Sequence, residues 1–266
     1  MDFPSDISPL YVASGFCVGL LVGLTGVGGG SLMTPVLILL FGVAPGAAVG
    51  TDLLYACVTK TGGVLVHGLN RTVDWPVVRR LCLGSLPASV LTLLMLYYLD
   101  MDSAAGNTLF VVALGVALMF TALALVFRRR FTAFYMERIG ILPERLLFRL
   151  TVVVGIALGV LVSISSVGAG ALGATALILL YPELPASKIT GSDIAHAVPL
   201  TLVAGIGHLM LGTIDLMLLV ALLLGSLPGI VLGSALVMKI PERILRLTLA
   251  AVLALVAVRL LGSVMP

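Results

Sequence analysis

The sequence predicts an all-α, polytopic helical membrane protein built from two inverted-topology repeats. Three observations support this prediction: an extreme apolar composition, a succession of ten apolar segments, and polar motifs that recur at a nearly constant offset. Of 266 residues, 60% are hydrophobic and only 10% are charged, and the mean hydropathy is +1.23. Soluble proteins carry about 25% charged residues. A composition this apolar indicates that lipid surrounds most of the chain.

Composition also argues against several classes of function. The net charge of +3 comes from arginines between the apolar segments, and aromatic residues make up only 6% of the chain, so we expect no nucleic-acid partner. Cys17, Cys57 and Cys82 lie inside apolar segments without disulfide or metal-site spacing. We expect no metal and no cofactor. Residues 1–9 are acidic and lack a basic residue, so we expect no cleaved signal peptide.

Ten apolar segments follow one another along the chain. A helix needs about 20 residues to cross the hydrocarbon core, and most segments are that long. Two segments have only about a dozen residues, and each follows a glycine-rich break. We therefore expect about eight spanning helices plus short half-helices. The segments are 8–25, 30–42, 46–69, 76–99, 105–127, 147–165, 170–181, 187–211, 215–238 and 243–263.

Polar residues of the first half recur in register in the second half, at an offset of 140 and then 141. Shared histidine, aspartate and proline positions do not arise by chance from apolar sequence. The sequence therefore predicts a first repeat over 1–142 and a second over 143–266, which together form one transmembrane domain. The matches are Val27-Gly28 with Val167-Gly168, Gly30 with Gly170, Gly50-Thr-Asp52 with Gly191-Ser-Asp193, His67 with His208, Asp74 with Asp215, and Gly84-Ser-Leu-Pro87 with Gly225-Ser-Leu-Pro228.

The positions of the basic residues predict that the two repeats are inverted. Five segments per half is an odd number, so the second half should enter the membrane from the opposite side. Placing the polar linker Arg128–Arg149 in the cytoplasm brings thirteen of the fifteen Lys and Arg residues to cytoplasmic ends. Cytoplasmic loops are enriched in these residues. This orientation puts both termini outside, and residues 70–75 and their repeat mates 212–214 on opposite faces.

The two glycine-rich breaks predict a binding site for an anion. Backbone leaves helical geometry at membrane depth only where it is buried in protein or lines a polar cavity. The start of the following short helix then offers free N–H groups and a positive dipole end. Glycines that only permit close helix packing are the alternative interpretation. The candidate residues besides Lys60 are Thr25, Gly28, Gly29, Gly30, Ser31, Ser165, Ser166, Gly168, Ala169 and Gly170.

Lys60 is the candidate cation of this site. It lies about ten residues from either end of segment 46–69, too far to reach the headgroups. A charge at that depth costs at least about 2.5–3.5 kcal/mol and by default indicates function. An ion pair with Asp52, two turns earlier, is the alternative. The repeat counterpart of Lys60 is Thr201, so the halves differ chemically here.

Asp52, Asp193 and His196 are candidates for proton coupling. His196 follows Asp193 by three residues and shares its helix face. The alternative is that both acids lie in the first turns of their own helices and offset the helix dipoles. His67 and His208 lie near segment ends, and we expect them at the membrane interface. Asp74 and Asp215 precede helices and are expected to be N-caps.

The glycine-rich and GSLP motifs resemble those of the sulfite exporter TauE/SafE-type permeases. The resemblance rests on Gly23-Leu-Thr-Gly-Val-Gly-Gly-Gly-Ser31, Gly50-Thr-Asp52, Val167-Gly-Ala-Gly170, Gly191-Ser-Asp193 and Gly225-Ser-Leu-Pro-Gly229, and covers nearly the whole chain. It implies a multi-pass carrier of a prokaryotic inner membrane. The implied substrates are sulfite, thiosulfate, sulfoacetate or other organosulfonates. One departure is Ser163-Ile-Ser-Ser166, where the family usually has glycines.

These features favour a secondary transporter over two other classes. Paired glycine-interrupted helices in inverted repeats are typical of a midplane transport site with alternating access. The expected partners are a small anion, the lipid bilayer, and a coupling proton or cation. An anion channel would need a continuous polar path, and the sequence offers a single polar cluster. An intramembrane enzyme is disfavoured because GxSxG and HExxH motifs are absent from the sequence.

Overall fold

A computed structural model describes residues 9–25, 30–98, 104–138, 142–236 and 242–264. These residues form ten α-helices, with no β-strand among them. In chain order the helices are α1 Pro9–Thr25, α2 Gly30–Phe41, α3 Pro45–Leu69, α4 Trp75–Tyr98, α5 Ala104–Arg138, α6 Glu144–Ser165, α7 Ala171–Leu180, α8 Ala186–Met210, α9 Leu216–Leu236 and α10 Glu242–Gly262.

The prediction of a polytopic helical membrane protein is confirmed. Within the described ranges, six helices are long and apolar enough to cross a membrane, and three shorter ones are also apolar. The helices coincide with the predicted apolar segments, except that α5 extends to Arg138. The expected polar linker Arg128–Arg149 was therefore too long, because α5 continues through its first half and α6 begins at Glu144. A change from apolar to polar sequence therefore does not by itself mark the end of a helix.

Each short helix folds back against the helix before it. Tyr11, near the start of α1, packs against Phe41 at the end of α2 in a tilted arrangement, with ring centroids 4.8 Å apart. In the second half, the hydroxyls of Thr151 in α6 and Tyr181 after α7 are 2.8 Å apart. With 12 and 10 residues, α2 and α7 are about 18 and 15 Å long. Each hairpin therefore returns to the face where it began.

Two pairs of helices, α1 with α9 and α4 with α6, pack with their backbones in close contact. A Cβ added at Gly84 would collide with the carbonyl of Val152, and one added at Gly225 would collide with the carbonyl of Val12. Small residues permit such close approach between membrane helices. The two contacts join residues that correspond under the repeat offset. Two further matched pairs occur, Gly155 on Leu81 with Gly15 on Leu222, and Gly159 on Ser85 with Gly19 on Ser226.

Matched contacts also occur at the loops after α3 and α8. His67 and Thr72 are joined by a side-chain hydrogen bond of 2.8 Å, and His208 and Thr213 by one of 3.2 Å. His208, which was predicted at the membrane interface, is fully buried within the protein, and its Nε2 lies 2.9 Å from the carbonyl of Ser163. Helix α6 covers this histidine, and the sequence around His208 gives no sign of that contact.

The two loop aspartates act as N-caps, as predicted. Asp74 Oδ1 accepts a hydrogen bond from the backbone N–H of Val77 at 3.3 Å, in the first turn of α4. Asp215 Oδ1 accepts two, from the N–H groups of Met217 at 2.9 Å and Leu218 at 3.0 Å, in the first turn of α9. These bonds satisfy backbone donors that have no partner within the helix.

Gly84→Ala should destabilise the protein, because the added methyl group meets the backbone of α6 rather than a movable side chain. We expect a loss of about 1–3 kcal/mol and a fall in melting temperature of about 3–10 °C. Gly225→Ala should behave alike. Gly62→Ala is the matched control, since an added Cβ there has open space around it. Equal melting temperatures for all three variants in detergent would contradict the packing described.

Candidate functional site

The break between α6 and α7 contains the second-half residues of the predicted site. Ser166 ends α6 in the left-handed conformation, with φ of 57°. Gly168 and Gly170 follow with φ of 127° and 137°, which L side chains rarely adopt. Ser165 Oγ donates to the carbonyl of Leu161 at 2.7 Å and accepts from the N–H of Val167 at 3.2 Å. The two glycines are therefore required by the backbone itself.

The break leads directly into the start of α7. The N–H of Gly173 bonds the carbonyl of Gly168 at 3.0 Å, and that of Ala174 bonds the carbonyl of Gly170 at 2.9 Å. The N–H groups of the first turn have no acceptor within the helix. They give this helix end a partial positive charge, which favours an anion or a carboxylate.

Lys60 of α3 reaches this break. Its Nζ donates a hydrogen bond of 2.8 Å to the carbonyl of Ala169, a residue of the other half of the chain. Lys60 also interacts electrostatically with two carboxylates, those of Asp193 and Asp52. The predicted alternative of a simple pair with Asp52 is therefore incomplete, because the lysine interacts with both acids.

Asp52 is fully buried and lies in the second turn of α3. Its Oδ2 accepts hydrogen bonds from the backbone N–H of Thr34, at 3.2 Å, and from the hydroxyl of Thr34. Ser166 Oγ lies near the same carboxylate without hydrogen-bond geometry. The alternative interpretation, that Asp52 offsets the dipole of its own helix, is wrong, since its hydrogen-bond partner Thr34 belongs to the first turns of the half-helix α2.

Asp193 has the corresponding place in the second half. It is 3% exposed, and its carboxylate interacts with the backbone N–H of Gly170, at the start of α7. A Cβ at Gly173 would collide with Asp193 Oδ1, so the carboxylate lies directly on the first turn of α7. Like Asp52, Asp193 therefore lies against a half-helix and not at the first turn of its own helix. The repeat-related acids Asp52 and Asp193 thus lie at the starts of α2 and α7.

His196 is fully buried, and its Nε2 lies 2.8 Å from Ser85 Oγ in α4. The repeat-related pair is Tyr55 and Ser226, whose side chains lie near each other without a fully formed hydrogen bond. His196 also interacts electrostatically with Lys60. Thr34, Ser85 and Tyr55 were not predicted as site residues. Ser85 and Ser226 carry a signal, since both belong to the repeated GSLP motif.

Part of the predicted site lies outside the described residues. Gly28 and Gly29 fall between the described ranges, and the side chains of Thr25 and Ser31 are likewise outside them. Thr25 ends α1, and Gly30 begins α2. The role of the first break therefore stays a prediction.

Six buried side-chain atoms around Lys60 and the second break have no hydrogen-bond partner among the described residues. Such atoms are rare in folded proteins and need an explanation, for which a ligand is one candidate. The described residues contain no cluster of three His, Cys, Asp or Glu side chains that could hold a metal ion. The six atoms are Thr51 Oγ1, Asp52 Oδ1, Tyr55 OH, Ser166 Oγ, Asp193 Oδ1 and His196 Nδ1.

Comparison with known proteins gives a consistent assignment. Residues 11–260 match the family described as Sulfite exporter TauE/SafE. "Probable membrane transporter protein YjnA" of Bacillus subtilis is 37% identical over 259 residues, which cover 96% of this chain and 100% of that protein. "Probable membrane transporter protein YdhB" of the same organism is 24% identical, over 87% of this chain and 91% of that protein. No solved structure matches the chain. The chain therefore belongs to the TauE/SafE family and is a multi-pass membrane transporter.

Proposed function

We propose that the protein is a secondary transporter that moves small sulfur-containing anions across a prokaryotic inner membrane by alternating access. The candidate substrates are sulfite, thiosulfate, sulfoacetate and other organosulfonates. The observation that carries the proposal is the 2.8 Å contact between Lys60 Nζ and the carbonyl of Ala169, which holds a cation beside the start of α7. Membership of the sulfite exporter TauE/SafE family supports the choice of anions.

The chemistry of this place suits a small tetrahedral or pyramidal anion. Lys60 supplies a compact ammonium group, and the first turn of α7 supplies backbone N–H donors and a positive dipole end. Gly168 and Gly170 provide the positive φ angles that the break requires. A fixed cation and fixed donors replace the hydration shell that the anion loses on entering the membrane.

Alternating access requires two conformations of similar energy, and inverted repeats provide them. The matched glycine contacts of α1 with α9 and α4 with α6 support a twofold relation between the halves. Exchanging the conformations of the two halves would open the site to the other side. An ion gradient would supply the energy, with Asp52, Asp193 and His196 as the candidate coupling residues.

The proposed orientation places both termini outside. Arg80 of α4 forms a 3.0 Å ion pair with Glu144 at the start of α6, which brings these helix starts to one face. Arg80 Nη1 also donates to the hydroxyl of Tyr181, after α7, at 3.4 Å. This face carries many basic residues of the chain, as expected for the cytoplasmic side.

Lys60→Met should weaken anion binding by at least about 30-fold, because a charged hydrogen-bond donor contributes about 2 kcal/mol. Lys60→Arg should also impair binding, since the planar guanidinium does not fit a pocket for a compact ammonium. Binding is measured by thermal shift and calorimetry of purified protein with sulfite, sulfate, thiosulfate and methanesulfonate. Lys188→Met, near the start of α8, is the matched control. Wild-type affinity of Lys60→Met for every anion would refute the site.

Reporter fusions test the orientation. Alkaline phosphatase fused after residue 266 should be active, and green fluorescent protein at the same point should be dark, because the C-terminus faces the periplasm. Fusions after residue 141 should give the opposite pattern, since this linker is expected in the cytoplasm. The reversed result at both points would overturn the orientation but would leave the fold intact.

A further inference from the structure

In this structure a carboxylate of the protein, that of Asp193, already lies against the start of α7, where the proposed anion would bind. Asp193 interacts with Lys60 and with the N–H of Gly170, and its Oδ1 lies on the first turn of α7. These are the same partners that a substrate anion would use. A bound anion and the ionised Asp193 therefore compete for one cation and one helix end.

We propose that a substrate monoanion replaces the Asp193 carboxylate at Lys60 and α7, and that the displaced Asp193 takes up one proton. This inference rests on the proposed function and assigns its coupling ion and stoichiometry. On binding, one anion and one proton enter the site together. The proton forms an O–H bond with an Asp193 carboxylate oxygen, and on release the same bond breaks. The charge of the site is the same before and after.

We expect the displaced Asp193 to take up a proton because its carboxylate is buried. Asp193 is 3% exposed, and its Oδ1 has no hydrogen-bond partner among the described residues. An ionised carboxylate that loses its counter-charge inside a protein is strongly destabilised, and protonation is the way such a group becomes neutral. The substrate brings a negative charge into the same low-dielectric place. Uptake of one proton by Asp193 keeps the net charge of the site unchanged.

Asp193 is a better acceptor for this proton than Asp52. Asp52 has its own donors, the N–H and hydroxyl of Thr34. An anion at Lys60 and α7 would leave those Thr34 contacts in place. In the opposite-facing conformation the roles of the two acids should exchange, because Asp52 lies at α2 as Asp193 lies at α7.

Few other titratable groups face the site. His196 is near Lys60, but its Nε2 is paired with Ser85. On α3 the nearby groups are Asp52, Tyr55 and Cys57. Helices α2, α7 and α9 contain no titratable residue. Those of α6 lie in its first two turns, at Glu144, Arg145 and Arg149, and those of α4 lie toward its two ends, at Arg79, Arg80, Cys82, Tyr97 and Tyr98. Those of α5 lie in its last three turns, from Arg128 to Arg138.

Proton uptake on anion binding tests the inference. The full chain is purified in detergent, held in weak buffer near neutral pH with an indicator dye, and titrated with methanesulfonate, a monoanion that does not itself titrate there. We expect uptake of about one proton per bound anion, and about tenfold weaker binding for each unit rise in pH while Asp193 is ionised. Binding without any proton uptake would overturn the inference.

Variants identify the acceptor. Asp193→Asn should bind methanesulfonate with no proton uptake and with an affinity that does not change with pH, because the amide neither competes for Lys60 nor titrates. Asp52→Asn should still take up about one proton, since Asp193 remains. Asp215→Asn, a capping acid outside the site, is the control. Proton uptake by Asp193→Asn equal to that of wild type would overturn the assignment.

Two results separate this inference from the function on which it rests. If methanesulfonate and thiosulfate both fail to bind, or if Lys60→Met binds them normally, the proposed site itself fails. If binding requires Lys60 but occurs without protons, only the coupling fails. Should Asp193→Asn not fold, Gly173→Ala tests the same contact, because its methyl group would push Asp193 Oδ1 from α7. Reduced proton uptake is the expected result, and unchanged uptake would contradict the inference.

Discussion

Two buried acids and one half-buried lysine lie inside an apolar protein, and the rest of the structure is arranged around their charges. Asp52 and Asp193 lie at the starts of α2 and α7, and Lys60 interacts with both. None of these charges would be tolerated in contact with lipid. The two helical hairpins, α1 with α2 and α6 with α7, meet this requirement because the half-helices α2 and α7 begin inside the protein. The N-terminus of each half-helix there faces a carboxylate.

Close packing of the long helices makes such a polar centre possible. Glycines bring α1 against α9 and α4 against α6 at backbone distance, with matched contacts in the two halves. Such close packing gives a low local dielectric, in which electrostatic interactions are stronger than in water. The asymmetry then resides in a few side chains. Lys60 corresponds to Thr201, and His196 corresponds to Tyr55, so one framework presents different chemistry from its two halves.

Hydrophobicity and composition sufficed to predict the bounds of nine helices to within a few residues, because a helix in contact with lipid is apolar over the length that lies in the membrane. The same criterion misplaced the end of α5, since Arg128–Arg138 leaves the apolar region while remaining helical. Lys60 and the second break were predictable from the cost of a buried charge and from glycine clustering. Their partners were not. Thr34 is 18 residues from Asp52, and Ser85 is 111 residues from His196, so only tertiary packing brings them together.

A crystal structure of the protein soaked with methanesulfonate tests the central claim most directly. The account predicts sulfonate oxygens within hydrogen-bond distance of Lys60 Nζ and of the first-turn N–H groups of α7, with the Asp193 carboxylate moved away from both. Density for the anion elsewhere, with Lys60 still bonded to the carbonyl of Ala169 and Asp193 in its present place, would contradict it.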